Sequence, residues 1–244
     1  MSIYRGLWKK EMTMMSGYQM VLAFIFFILA GFMIYQRTTN IDEIYIVELA
    51  TFSFIIPPAT VLFSLNMEKH QLSMFLFSKQ KIVKQIHIKF LHGAMLTGVS
   101  FFMMVSLAIL FKWFGWLSIS LLETMKVLLI IFIFISIISI ISTVAVYIAW
   151  VLHQWFREKI GFVLSLVALI VTFNLLLKLF DIIITNLSFI ANWWSVKVGS
   201  LIDVPFTIFI VDNQLSVSMM LVFFIILYVF YRFTTWLLVT KVEV

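Results

Sequence analysis

The sequence predicts an all-α integral membrane protein with six transmembrane helices and both termini on the cytoplasmic side. Two observations carry this. Of 244 residues, 64% are hydrophobic and 11% charged, with a mean hydropathy of +1.13; soluble domains have roughly 45–50% apolar and about 25% charged residues. The apolar residues also fall into runs of about 20, the length that crosses a bilayer. There is no cysteine, which excludes a disulfide framework, thiol chemistry and cysteine-ligated metal.

Residues 1–16 place Leu7, Trp8, Met12 and Met15 at helical spacing beside Arg5, Lys9, Lys10 and Glu11. That pattern suits an amphipathic helix lying in the interface, or a basic flank before the first span. The apolar run that follows exceeds a signal-peptide core and lacks a small-x-small cleavage pattern, so it is expected to be retained.

Span 1 covers about 19–35 and span 2 about 44–65. Span 2 carries Glu48 near its outer end and Pro57-Pro58 in its middle. Two prolines remove two backbone donors, so a kink or break is expected there. The freed carbonyls then need partners from neighbouring helices or water. The bend is either static or part of a translocation pathway.

Residues 67–90 form the interval least able to lie in lipid. Lys69, Lys79, Lys81, Lys84 and Lys89, with His70 and His87, stand against one acid, Glu68. Span 3 follows at about 91–111, a loop at 112–126, span 4 at 127–150, a basic turn at 153–159 and span 5 at 160–179. Residues 180–214 are apolar but broken by polar residues; one or two short outer helices are expected, ending at Pro205-Phe206. Span 6 covers about 215–238.

Alternating six spans from a cytoplasmic N-terminus puts 12 Lys and Arg inside and 5 outside, with net charges of +8 and −2. The positive-inside rule therefore explains the formal +6, and nucleic acid need not be invoked.

Catalytic groups are not evident. No H-E-x-x-H or G-x-x-x-x-G-K-[ST] pattern occurs, and Gly98-Val99-Ser100 lacks a histidine at matching depth. Gly93 and Gly98 are five apart, which is not the G-x-x-x-G packing pattern. Asn174, Lys178 and Asp181 share one face of span 5. They read either as a self-satisfied Lys178–Asp181 pair near the interface or as a polar patch on a pathway, with Glu48 as a neighbour.

The 67–90 loop resembles the coupling loop of ABC-2-type transporter permeases. Met67-Glu68-Lys69 opens it, Leu72, Phe75 and Leu76 form an apolar stripe, Ser78-Lys79-Gln80 is the turn, and Lys81 to Lys89 leads into span 3. The N-terminus is similar to that family's connecting helix, and 180–214 to its re-entrant outer helices. The resemblance implies a permease subunit in the cell membrane, paired with a second permease and driven by separate ATPase subunits. ATP and Mg would be bound on the partner, with no cofactor on this chain. Leu72, Phe75, Leu76 and Ser78 would dock on the ATPase, with Glu68, Lys79 and Lys81 rimming the contact. The 27 phenylalanines favour a hydrophobic or amphipathic cargo, such as a peptide, lipid or drug. The alternative is a non-transporting membrane interaction, sensor or immunity protein.

Overall fold

The computed structural model describes residues 3–35, 52–68, 79–115, 120–190, 193–197, 210–211 and 214–241. The helices are α1 (Ile3–Met14), α2 (Ser16–Tyr35), α3 (Ile56–Glu68), α4 (Lys79–Trp113), α5 (Leu121–Ile160), α6 (Phe162–Asn186) and α7 (Val217–Lys241). Four helical segments are long and apolar enough to cross a membrane: 82–113, 122–160, 162–183 and 217–240. The bent pair α1–α2 would make a fifth, its halves meeting at 56° around Met15. The chain is a helical multi-pass membrane protein. The first part of the expected span 2, with Glu48, lies outside the described residues.

Contacts divide the chain into two compact units, Met1–Tyr147 and Ile148–Glu243. In the first, Phe26 of α2 packs with Met104, Ala108 and Phe111 of α4 and Leu128 of α5. Phe101 and Phe132 add a ring contact at 4.2 Å. In the second, Phe180 of α6 meets Phe223 and Phe230 of α7 at 5.6 and 5.4 Å.

Three expectations change. The 112–126 loop is shorter, because α4 runs to Trp113 and α5 begins at Leu121. Ser120 and Glu123 form a capping box there: the Glu123 N–H donates to Ser120 Oγ at 3.2 Å, and the Ser120 N–H donates to Glu123 Oε2 at 3.2 Å. The basic turn at 153–159 is instead the end of α5. Arg157 and Lys159 sit in its last turn, where cations suit the helix dipole. The reversal is made by Gly161 at φ +79°, a left-handed conformation that glycine adopts without a Cβ clash.

The third change concerns 180–214. Here α6 continues to Asn186, followed by a 3-10 turn at Ser188–Ile190. In place of further α-helix, the described residues then form a small antiparallel sheet of order β1-β3-β2: β1 (Ser195–Lys197), β2 (Ile210–Val211) and β3 (Gln214–Ser216). Leu215 pairs with both Val196 and Ile210. Val196, Ile210 and Val211 are β-branched, which favours the pleated conformation over helix. Ser216 Oγ accepts the Met219 N–H at 3.3 Å and caps α7. Pro205-Phe206 lies outside the described residues.

Candidate functional site

The apolar stripe on α1 forms as its spacing predicts. Leu7, Trp8, Met12 and Met15 turn inward while Arg5, Lys9 and Lys10 are exposed. Glu11 lies in the middle of that inward face and is 4% exposed. A carboxylate so placed needs a compensating charge, and α4 supplies it.

Lys89 is 1% exposed, yet its ammonium meets three acceptors. It donates to Ser64 Oγ at 2.5 Å and to Glu11 Oε2 at 3.2 Å. Glu68 Oε2 stands 2.8 Å away, as an ion pair rather than an aligned hydrogen bond. Ser64 uses its own proton toward Glu11 Oε1. On the other side, Lys10 Nζ donates to Glu68 Oε1 at 2.7 Å. Lys10, Lys89, Glu11 and Glu68 thus form a charge-neutral knot joining α1, the end of α3 and the start of α4.

His92, one helical turn beyond Lys89, is fully buried. Gln19 Nε2 of α2 donates to its Nε2 at 2.9 Å. The ring proton therefore sits on Nδ1, which faces Glu11 Oε1 at 3.9 Å. Trp8 packs edge-on against the ring at 5.9 Å. A further tie is Lys84, whose ammonium lies 5.7 Å over the Tyr4 ring.

Glu68, which the resemblance would place at the rim of an ATPase contact, is 4% exposed and held between two lysines. The reason is electrostatic. Glu68 is the acid available at the end of α3, and the α4 turn opposite presents an ammonium that cannot stay buried alone. Lys79 and Lys81 stand in the first turn of α4. Leu72, Phe75, Leu76 and Ser78 lie outside the described residues, as does Glu48.

Pro57 and Pro58 sit in the first turn of α3, just after a 3-10 turn at Ser53–Ile55. The break expected there is present, and both freed carbonyls are met. Ser53 O, the acceptor a residue 57 N–H would use in an α-helix, takes the Ile56 N–H instead. Phe54 O, the acceptor lost with the Pro58 N–H, takes Ser139 Oγ from α5 at 3.2 Å. Ser53 Oγ also pairs with Ser100 Oγ at 2.9 Å.

A cavity of about 200 Å³ opens beside Pro57, lined by α3, α4 and α5. Its wall carries the hydroxyls of Thr97, Ser136, Ser139 and Thr143. Each is spent on a backbone carbonyl: Gly93, Phe132, Phe54 and Ser139 respectively. The lining therefore presents carbon more than hydrogen-bonding capacity.

Asn174, Lys178 and Asp181 are all exposed on α6. No ion pair joins Lys178 to Asp181 among the described residues, so they are not the self-satisfied pair that one reading of the spacing allows. Asn174 Nδ2 donates back to Ile170 O at 2.9 Å. Among the described residues no cluster of three or more His, Asp or Glu side chains is placed to hold a metal ion.

Sequence reasoning passed over Ser64 and Gln19, named Glu11 only beside the cations of residues 1–16, gave His92 no role, and read Lys89 as solvated. A signal was present. Trp8-Glu11-Met15, Ser64-Glu68 and Lys89-His92 each repeat at three or four residues, so each set shares a helix face. No family model matches the chain, and no curated protein or solved structure matches it.

Proposed function

We propose that the chain is the membrane-spanning permease subunit of an ATP-driven exporter in the cell membrane. In this reading two permeases form the path, and separate ATPase subunits engage the 69–78 segment from the cytoplasm. ATP and Mg belong to those partners.

The observation that carries the reading is the ion knot. Glu68 ends α3 immediately before residues 69–78, and Lys89 lies on α4 after them. Both are bound to each other and to α1. A segment anchored this way transmits a push to two helices and to the interfacial helix together. The excess of Lys and Arg in the same intervals favours a cytoplasmic position for them. Leu72, Phe75 and Leu76 supply helix-in-groove anchors at i, i+3 and i+4. Lys79 and Lys81 flank them. The cavity beside Pro57, with its hydroxyls already engaged, favours a hydrophobic or amphipathic cargo.

The test is affinity capture of the tagged chain from detergent-solubilised membranes, beside a Leu72→Asp/Phe75→Asp variant. The expected result is a nucleotide-binding protein captured with the parent and lost with the variant, at equal membrane abundance. Capture of no such protein by the parent, even after mild cross-linking, would overturn the transporter reading and favour an interaction or sensor protein.

A further inference from the structure

Gln19 lies on α2 just after the bend, and its amide nitrogen serves two neighbours. It donates to Met12 Sδ on α1 at 3.6 Å and to His92 Nε2 on α4 at 2.9 Å. All three residues belong to the Met1–Tyr147 unit. The bond to Met12 spans the bend around Met15, whose halves meet at 56°. Ser16-Gly17 follows Met15, and such a pair is a common site of sharp helix bends. A Cβ built on Gly17 meets nothing within 4 Å, so packing at the glycine does not fix the angle. The Gln19 amide is a side-chain tie across it.

The neutral His92 ring accepts this amide in one orientation only. Its Nδ1 carries the proton, faces Glu11 Oε1 at 3.9 Å and has no hydrogen-bond partner among the described residues. The charged groups around the ring are Lys10 and Glu11 on α1, Glu68 on α3 and Lys89 on its own helix, two of each sign. Arg5 and Lys9 lie on the exposed face of α1, and α2 brings only the uncharged Gln19. A second proton, taken from water onto the Nε2 lone pair, turns that nitrogen from acceptor into donor. The Gln19 N–H then has nothing on the ring to donate to, whereas its Oε1 can accept, so the amide turns over. The turned amide sets Oε1 against Met12 Sδ. A thioether has no proton to give, so the tie across the bend is lost.

We propose that His92 is a proton-operated switch on the α1–α2 bend, with the Gln19 amide as its moving part. Both states give the ring its partners: Gln19 N–H for the neutral ring, Glu11 and Gln19 Oε1 for the charged one. They differ in whether α2 holds α1. A pair of arrangements biased by one proton is what a histidine switch needs. The effect does not stop at the bend. Lys10 and Glu11 ride on α1 and bind Glu68 and Lys89, so a change in the angle reaches the ion knot. The inference goes beyond the permease reading and stands without it.

The chain lacks cysteine, so a spin-label pair reads the bend without background. Lys9→Cys/Phe24→Cys puts one label on each helix, both at exposed positions. Distances are measured by double electron–electron resonance on the full chain in detergent, at about pH 8 and about pH 5, either side of the usual histidine range. The expected result is one narrow distance at the higher pH and a distribution broadened by several ångström at the lower. His92→Gln keeps an acceptor for Gln19 but cannot take up a proton, and should stay narrow at both. Met12→Leu removes the sulfur and leaves the ring its partner, and should be equally broad at both. An unchanged parent distribution, or the same broadening in His92→Gln, would overturn the switch. A Met12→Leu pair that starts narrow and still broadens would overturn the part given to the Gln19 amide.

Discussion

Gly93 of α4 lies against Pro57 of α3 so closely that a Cβ on the glycine would stand 3.0 Å from Pro57 Cα and 3.3 Å from its carbonyl oxygen. The neighbouring atoms are backbone and proline ring, which cannot swing aside. The break in α3 and the smallest side chain in α4 are therefore two halves of one contact. Gly93→Ala should force the helices apart and cost about 1–3 kcal/mol. Thermal unfolding of the detergent-purified variant checks this. Gly98, with nothing within 4 Å of a built Cβ, is the control and should tolerate alanine.

Ser139 replaces the bond that Pro58 cannot make to Phe54 O. Ser139→Ala alone should cost about 0.5–1.5 kcal/mol, the loss of one buried hydrogen bond. Pro58→Ala restores an N–H that can reach the same carbonyl. The double variant should then lose less than the sum of the singles, and a thermodynamic cycle measures that coupling. Strict additivity would mean the serine and the proline do not share the carbonyl.

Gly161 reverses the chain between α5 and α6 at φ +79°. A built Cβ meets nothing within 4 Å, so space is not the constraint. Gly161→Ala should still lower stability by about 1–2 kcal/mol, because an L-residue pays that in the left-handed region. Gly161→Asn should recover part of the loss, and the two unfolding temperatures compared side by side decide it.

The helical class and most spans were legible because lipid demands long apolar runs, and such runs survive any detail of packing. Helix ends were less legible. The Ser120-x-x-Glu123 box that starts α5 is a local signal, but it lies among residues read as loop because Lys112, Glu123 and Lys126 are charged. The sheet at Ser195–Ser216 was masked by an apolar composition that suits buried helix and strand equally. The site was legible only in halves. Glu11, Glu68 and Lys89 each belong to a basic segment and look solvated one segment at a time. Their meeting is a tertiary event, set by which faces α1, α3 and α4 present. Gly93 was silent for the same reason: its partner is a proline on another helix, so no spacing within α4 could announce it.

The account depends most on Lys89 as the cation that makes two buried carboxylates tolerable. Breaking one side of a buried ion pair costs roughly 3–5 kcal/mol, whereas replacing every charge in it is often nearly neutral. The deciding measurement is thermal unfolding of Lys89→Met beside Glu11→Gln/Glu68→Gln/Lys89→Met, both purified in one detergent. The account predicts a large loss for the single variant and recovery of most of it in the triple. A single variant as stable as the parent, or a triple no better than the single, would contradict the knot that ties α1 to α3 and α4.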